Sequence, residues 1–326
     1  MHTTRRSVLT LLPTLALTSG AAAQPQEAYP NRPIRLVVPY TPGGSVDLMA
    51  RAFGRRWGEI LKQAIVVENK PGATTIVGTT FVARAEPDGY TVLSGGTNVG
   101  LNRYLFRTLP YDAERDLTVV ALLTIVPYLL VVNPSLPVRS VPELIDYAKA
   151  RPGALTYASF GVGGAGHIAG EMFDRMAGVQ TVHVPYNGTA PGLADVMAGR
   201  VSMSFATIPP SLPAVRDGRL RALALTGMER MAALPDIPTI HEAALPGFEC
   251  VSQNLIFAPA ATPAERLRVM NETVQEALRD AALRRLLEEQ GFVVARPMSS
   301  EESKRAYDTA VEKLAQVVRE ARITIG

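Results

Sequence analysis

The 326-residue chain has one cysteine, Cys250, one tryptophan and four histidines. A lone cysteine excludes an intramolecular disulfide framework and any zinc cluster built on thiolates. No sign of charge dominates either: Lys and Arg number 33 against 30 Asp and Glu. Arg5 and Arg6 lie in a leading segment that the mature chain is expected to lose, so the remainder is close to neutral. That balance argues against a nucleic-acid or membrane-surface face. The 25 prolines and 26 glycines are scattered without period, and 47% of residues are hydrophobic against 19% charged. Disordered, collagenous and coiled-coil chains are thereby excluded, and the length favours two domains.

No apolar run approaches the roughly 20 residues that span a bilayer. The apolar stretch from Val8 to Leu17 is too short and is interrupted by Pro13. With Arg5-Arg6 before it and Ala21-Ala22-Ala23 after it, residues 1–23 read as a secretory signal cleaved before Gln24. Thr4 to Leu9 resembles a twin-arginine signal, and a plain Sec leader fits as well. Either predicts a periplasmic protein, with no lipid-anchoring cysteine at the cleavage site.

Catalytic signatures are missing too. There is no G-x-S-x-G elbow, no H-E-x-x-H and no P-loop. Gly161, Gly163 and Gly166 spell G-x-G-x-x-G, but the strand that follows ends Val182-His183-Val184-Pro185-Tyr186-Asn187 without the acidic residue that would hold a ribose. No nicotinamide or other cofactor is expected. Cys250 reads as buried packing, His183 as structural, and Glu68, Asp88 and Asp195 as solvated or structural carboxylates.

The remaining pattern is strand, turn, helix, repeated. Ile34–Pro39 is a continuous apolar, β-branched run suited to a strand buried on both faces. Further strands are expected at Ala64–Glu68, Thr91–Ser94, Thr118–Leu123, Leu129–Asn133, Leu155–Ser159, Val182–Pro185, Val201–Phe205, Arg221–Thr226, Asn254–Pro259 and Phe292–Ala295. Ser45 opens a helix whose apolar stripe is Leu48, Ala52, Phe53, Trp57, Ile60 and Leu61. Ser140-Val141-Pro142-Glu143 and Thr262-Pro263-Ala264-Glu265 read as capping boxes, the second opening one helical stretch to Gln290. The expected class is α/β, with two mostly parallel sheets flanked by helices and chain crossings at Leu123–Asn133 and Val251–Pro259.

In such sheets ligands sit at the carboxyl ends of strands. Three loops there are rich in small residues: Tyr40-Thr41-Pro42-Gly43-Gly44-Ser45, followed by Asp47; Pro71-Gly72-Ala73-Thr74-Thr75; and Ser159 to His167, containing Gly161, Gly163 and Gly164. Together they suit a small anion held by amides and hydroxyls, since none contains Arg or Lys. Taken singly, each is equally a plain strand-to-helix turn. His167 either donates to a ligand or caps its own turn.

Tyr29-Pro30-Asn31-Arg32-Pro33-Ile34-Arg35 leading into Val38–Asp47, Val67-Glu68-Asn69-Lys70-Pro71-Gly72-Ala73, Pro87–Thr91, Leu109–Asp112, His183–Gly188 and Ala233–Thr239 resemble the tripartite tricarboxylate transporter substrate-binding receptors, the Bug-type family. The resemblance runs along the whole mature chain. It implies a two-lobed, type II periplasmic-binding-protein fold with a cleft between the lobes, lobe 1 being residues 24–124 plus 254–326 and lobe 2 residues 125–253. It implies a non-enzymatic receptor, monomeric, that delivers a small carboxylate to membrane permease subunits. A receptor that instead presents its bound form to a membrane sensor kinase is the alternative, and an exported enzyme a remote third.

The resemblance also implies that Tyr40–Asp47 and Ser159–His167 hold the ligand carboxylate, partly through water. Ala73, Thr74, Thr75, Gly95, Thr97, Tyr186, Thr189, Ala206 and Gln253 would complete the pocket. The family often has Asp where Ala206 stands and an aromatic within Ser252-Gln253-Asn254. Those departures imply a different end group in the distal pocket.

Overall fold

The computed structural model describes residues 29–43, 45–186 and 188–325, Ser45 by its backbone alone. The expected signal at 1–23 and Gly44 lie outside the described residues. In chain order the elements are β1 (Ile34–Val38), α1 (Ser45–Leu61), β2 (Ile65–Asn69), α2 (Ile76–Ala83), β3 (Thr91–Gly96), α3 (Asn98–Leu105) and β4 (Leu117–Val132). Then come α4 (Val141–Lys149), β5 (Thr156–Ser159), α5 (Ala165–Ala177), β6 (Val182–Pro185), α6 (Thr189–Met197), β7 (Met203–Thr207) and α7 (Ile208–Arg216). The chain closes with β8 (Arg221–Leu225), α8 (Ile240–Ala243), β9 (Val251–Pro259), α9 (Ala264–Leu278), α10 (Ala281–Glu289), β10 (Val293–Val294) and α11 (Ser300–Glu320).

The α/β class stands, but the sheet is mixed. Hydrogen-bonded neighbours run β2-β1-β3-β9-β4-β7-β5-β6, with β8 and β10 also on β4. β1 is parallel to β2 and β3, and β5 is parallel to β6 and β7. Every antiparallel pairing among the described residues involves β4 or β9. These are the two segments expected to cross, and crossing is why they cannot follow the parallel βαβ rule.

β4 is one long strand where two were expected. Its first part, Leu117 to Pro127, pairs with β9, and its second, Tyr128 to Val132, pairs with β7 and β8. The exchange of partners falls at Pro127, a residue with no N–H for a ladder bond. β4 runs parallel in sense to β3, so the carboxyl ends of β1, β2 and β3 point toward the half containing β7. β7, β5 and β6 run against β4, so their carboxyl ends point back. The two sets of strand-to-helix loops therefore face one another across the Pro127–Tyr128 junction.

Separate apolar clusters fill the halves. Ile34, Leu36, Val38, Phe53, Trp57 and Ile256 form one against α1 and α9. Leu130, Tyr157, Phe173, Phe205 and Phe248 anchor another. α11 serves both: Tyr307 and Val311 pack on the β3–β9 side, whereas Leu314, Ala315, Val317 and Val318 belong to the cluster of Phe173 and Phe205. Leu105 at the end of α3 joins that second cluster, and its carbonyl accepts Ile325 N–H at 2.7 Å.

Three local expectations are corrected. The stretch after Thr262 is two helices, because Asp280 accepts from the N–H groups of Ala282 and Leu283 and caps a new start. Thr262 makes no box: the cap residue is Pro263 and the Thr262 hydroxyl is buried without a partner. On α1 the buried stripe is Met49, Ala50, Phe53, Trp57 and Leu61, and Leu48 is left 48% exposed beside the first loop.

Candidate functional site

The first loop is built by a carboxylate. Asp47, 2% exposed, accepts the Gly43 N–H at 2.9 Å, Arg51 Nε at 3.0 Å and Asn69 Nδ2 at 2.8 Å. Asn69 Nδ2 also donates to the Tyr40 carbonyl at 3.1 Å, and Arg51 to Asn69 Oδ1 at 2.9 Å. Burial alone would raise the Asp47 carboxyl's pKa; Arg51, the Gly43 amide and Asn69 outweigh it and hold the group below the usual carboxylate range. Asp47 is thus fully engaged inside the protein. It shapes the loop and turns Thr41, Pro42 and Gly43 outward, where all three are exposed. The Tyr40 phenol is pushed up to about 12, chiefly by burial.

The second loop is strained. Ala73, Thr74 and Thr75 have φ of 43°, 50° and 76°, three consecutive non-glycine residues in the left-handed region. Each such residue costs about 1–2 kcal/mol. Asn102 on α3 pins the turn, its amide donating to the Thr74 carbonyl at 3.0 Å and lying 3.3 Å from the Tyr111 hydroxyl. Among the described residues no hydrogen bond engages the N–H groups of Ala73, Thr74 or Thr75. Next to this turn, Thr97 accepts the Gln253 N–H at 3.2 Å, and Gln253 donates its side-chain amide to the Ala306 carbonyl while its own carbonyl oxygen is unpaired.

Across the junction, two stacked imidazoles hold the third loop. His167 and His183 lie 3.8 Å apart at 6°. The Gly163 N–H donates to His167 Nδ1 at 3.0 Å, and Ser159 Oγ lies 2.6 Å from His183 Nε2. His167 therefore accepts from its own turn rather than presenting a donor there. Ser159 and His183 are spaced like a nucleophile and base, yet Ser159 is 2% exposed and donates to the Gly161 carbonyl at 3.1 Å. The pair braces the loop. Burial, then the neighbouring His167, drives the His183 pKa down to about 4.

Between the loop sets stands Tyr128, at the point where β4 changes partners. It stacks on Phe160 at 5.9 Å, and its backbone is stitched to Thr226 in both directions. Tyr40 lies close enough to raise its phenol's pKa further, beyond the larger effect of burial.

The remaining expected residues divide. Thr189 and Thr207 meet hydroxyl to hydroxyl at 3.4 Å at the mouth of α6 and α7. Tyr186 donates to Asp195 at 2.6 Å, and Asp195 is also held by Arg200. Gly164 closes the third loop, its N–H reaching the Gly161 carbonyl at 3.2 Å. Two side-chain positions turn inward. Ala206 is fully buried in the cluster of Leu129 and Ala158, and a Cβ at Gly95 would strike Val99, Leu93 and Phe257 at about 3.0 Å or less. Of the first loop, Gly44 and the Ser45 side chain lie outside the described residues.

Residues 49–323 match the model of the tripartite tricarboxylate transporter family receptor. The chain belongs to that family. Among these receptors it is 34% identical to Protein BugT of Bordetella pertussis over 98% of both chains. The R. palustris protein Rpa4515 with adipate superposes at a TM-score of 0.82, with 36% identity over 91% of this chain and all of that one. MatC of Rhodopseudomonas palustris with bound malate gives 0.77 and 32% over 89% of this chain and all of that one. The periplasmic binding protein BugD superposes at 0.78, with 29% identity over 91% of this chain and all of that one, which agrees with the receptor expectation and the Bug-type resemblance.

Sequence reasoning missed Arg51, Asn69, Asn102 and Tyr128. Arg51 stands four residues after Asp47 on one helix face, a spacing that marks an ion pair before any coordinates. Asn69, Asn102 and Tyr128 are brought in by tertiary pairing and carry no such local mark.

Proposed function

We propose that this chain is an extracytoplasmic receptor that takes up a small carboxylate between its facing loop sets and delivers it to a tripartite tricarboxylate-type permease. The observation that carries the reading is the likeness, over nine-tenths of the chain, to a receptor holding adipate. The local chemistry supports it. Unpaired amides at Ala73–Thr75 and the exposed Gly43 loop offer neutral donors, and the carboxylate behind the Gly43 loop, Asp47, is neutralised by Arg51. A ligand carboxylate would be held by amides, hydroxyls and bridging water rather than by a salt bridge.

In this reading residues 1–23 are the export signal. Lobe 1 is 24–124 with 254–326, lobe 2 is 125–253, and the crossings of β4 and β9 act as the hinge. Closure would bring Ser159–His167 and Thr189 onto a ligand first seated at Tyr40–Ser45, Ala73–Thr75, Thr97 and Gln253. Tyr186, tied to Asp195, stands at the rim.

The test is the solute carried by the protein. Mass spectrometry of the denatured, natively purified chain should release a small carboxylate, and adipate or malate should refill the emptied protein. Release and rebinding of a non-carboxylate solute alone would overturn the reading. Loss of uptake of the recovered acid in a deletion strain would establish delivery to a permease; normal uptake would redirect the receptor to sensing.

A further inference from the structure

His167 and His183 come from different elements, α5 and β6, yet both act on the one loop that joins β5 to α5. The Gly163 amide donates to His167 Nδ1, which fixes that nitrogen as the unprotonated acceptor and places the ring's proton on Nε2. Nε2 lies 3.6 Å from Glu171 Oε1, and that oxygen takes the Tyr157 hydroxyl at 2.8 Å. The Tyr157 ring stacks in turn on His183 at 5.0 Å, and His183 meets Ser159 at 2.6 Å. Both imidazoles are packed face to face at 3.8 Å.

We propose that His167 and His183 are positioning residues whose uncharged stack clasps the Ser159–Gly163 loop in its binding form, so that acidification opens the loop and weakens carboxylate binding. The inference rests on the receptor reading above. A proton on His167 Nδ1 puts a second donor opposite the Gly163 N–H, and one of the two must turn away. A second proton, on His183, would set two cations face to face, but burial and His167 defer it to about pH 4, below the interval tested. Glu171 can compensate only one of them.

The other titratable groups around the pair are few. β5 supplies Tyr157, whose phenol is raised by burial and then by Glu171. α5 supplies Glu171, held low by His167 and Tyr157 against burial, and Asp174, pushed up to about 6 by burial against the Thr181 donors. α11, which also packs on α5, supplies Glu320, engaged by Arg175. β6 and β7 contribute no other charge. Asp174 titrates in the same interval and needs its own control.

The experiment titrates adipate into the full mature chain at about pH 7.5 and about pH 5.5, the interval in which imidazoles exchange their proton. A parallel sample labelled with heavy nitrogen in glycine alone follows the Gly163 amide by NMR. Wild-type affinity should fall about tenfold, the equivalent of one lost hydrogen bond, while the Gly163 resonance moves over the same interval. His167→Ala should bind weakly at both pH values. His167→Asn offers an amide oxygen in place of Nδ1 and should recover most of that loss with no pH dependence. Asp174→Asn should keep the wild-type dependence.

An equal fall in wild type and His167→Asn, or a Gly163 amide indifferent to pH, would overturn the proposal. Adipate binding at neither pH would count against the carboxylate reading alone, because the amide still reports the clasp.

Discussion

One carboxylate oxygen of Asp47 takes the Gly43 N–H at 2.9 Å, across four residues and the turn that opens α1. A negatively charged group thus sits behind a loop proposed to receive an anion, and it is harmless there because Arg51 and Asn69 occupy the rest of it. Its work is to set the direction of the Gly43 peptide. Asp47→Ala would strand that amide, the Arg51 guanidinium and the Asn69 amide. Leaving such groups unpaired costs about 1–3 kcal/mol in stability. Adipate affinity should fall by a larger factor than the same destabilisation produces elsewhere in the half built on β1–β3, for example in Trp57→Phe. Calorimetric titration beside a melting curve separates the two effects.

His183 makes stability depend on pH. Its folded-state pKa of about 4 lies below the ordinary 6.5, chiefly because it is buried and then because His167 is stacked on it. A histidine depressed in the fold contributes stability that is present above 6.5 and is lost as pH falls toward 4. In Asp174→Asn, which removes the opposing contribution of a carboxyl pushed up to about 6, the melting temperature should therefore drop through that window. His183→Gln, which can still reach Ser159, should flatten the drop.

Neighbouring glycines of the third loop should respond differently to substitution. Gly163 has φ +72°, and a Cβ there would meet Ile325 and Leu105 at 2.8–3.0 Å. Gly161 has φ +129° and nothing within 4 Å. Gly163→Val should therefore lose both fold stability and binding, whereas Gly161→Ala should meet backbone strain alone and melt closer to wild type. Chemical denaturation of both variants checks the order.

Cys250 should be inert in the native protein. It is fully buried and its thiol is pushed up to about 12 by burial, so almost no thiolate is present at neutral pH. A thiol reagent should label it only after unfolding, and rapid native labelling would contradict its place beneath the Tyr128 junction.

Much of the fold was legible because burial imprints itself on the sequence. Ile34–Val38 announces itself as a short, largely apolar run between turn residues, and four of its five residues are buried. The glycine-rich loops mark strand-to-helix turns for the same local reason. What was not legible depends on partners far along the chain. The exchange of neighbours that makes β4 one strand depends on β9 and β7, more than 70 residues downstream. Ala206 and Gly95 looked like lining residues from their loops, but Ala206 packs into the cluster of Leu129 and Ala158, and a Cβ at Gly95 would meet Val99, Leu93 and Phe257. The left-handed turn at Ala73–Thr75 was hidden because non-glycine residues seldom adopt it without an outside hold, here Asn102.

Binding of a small carboxylate by the facing loops is tested by thermal unfolding of the chain from Gln24 with and without adipate. At a hundredfold excess over its dissociation constant a ligand adds about 2.7 kcal/mol, enough to raise the melting point by a few degrees. The account predicts such a rise for wild type and its loss in Asp47→Ala. A rise of equal size in Asp47→Ala, or none with any mono-, di- or tricarboxylate on protein stripped of solute, would contradict it.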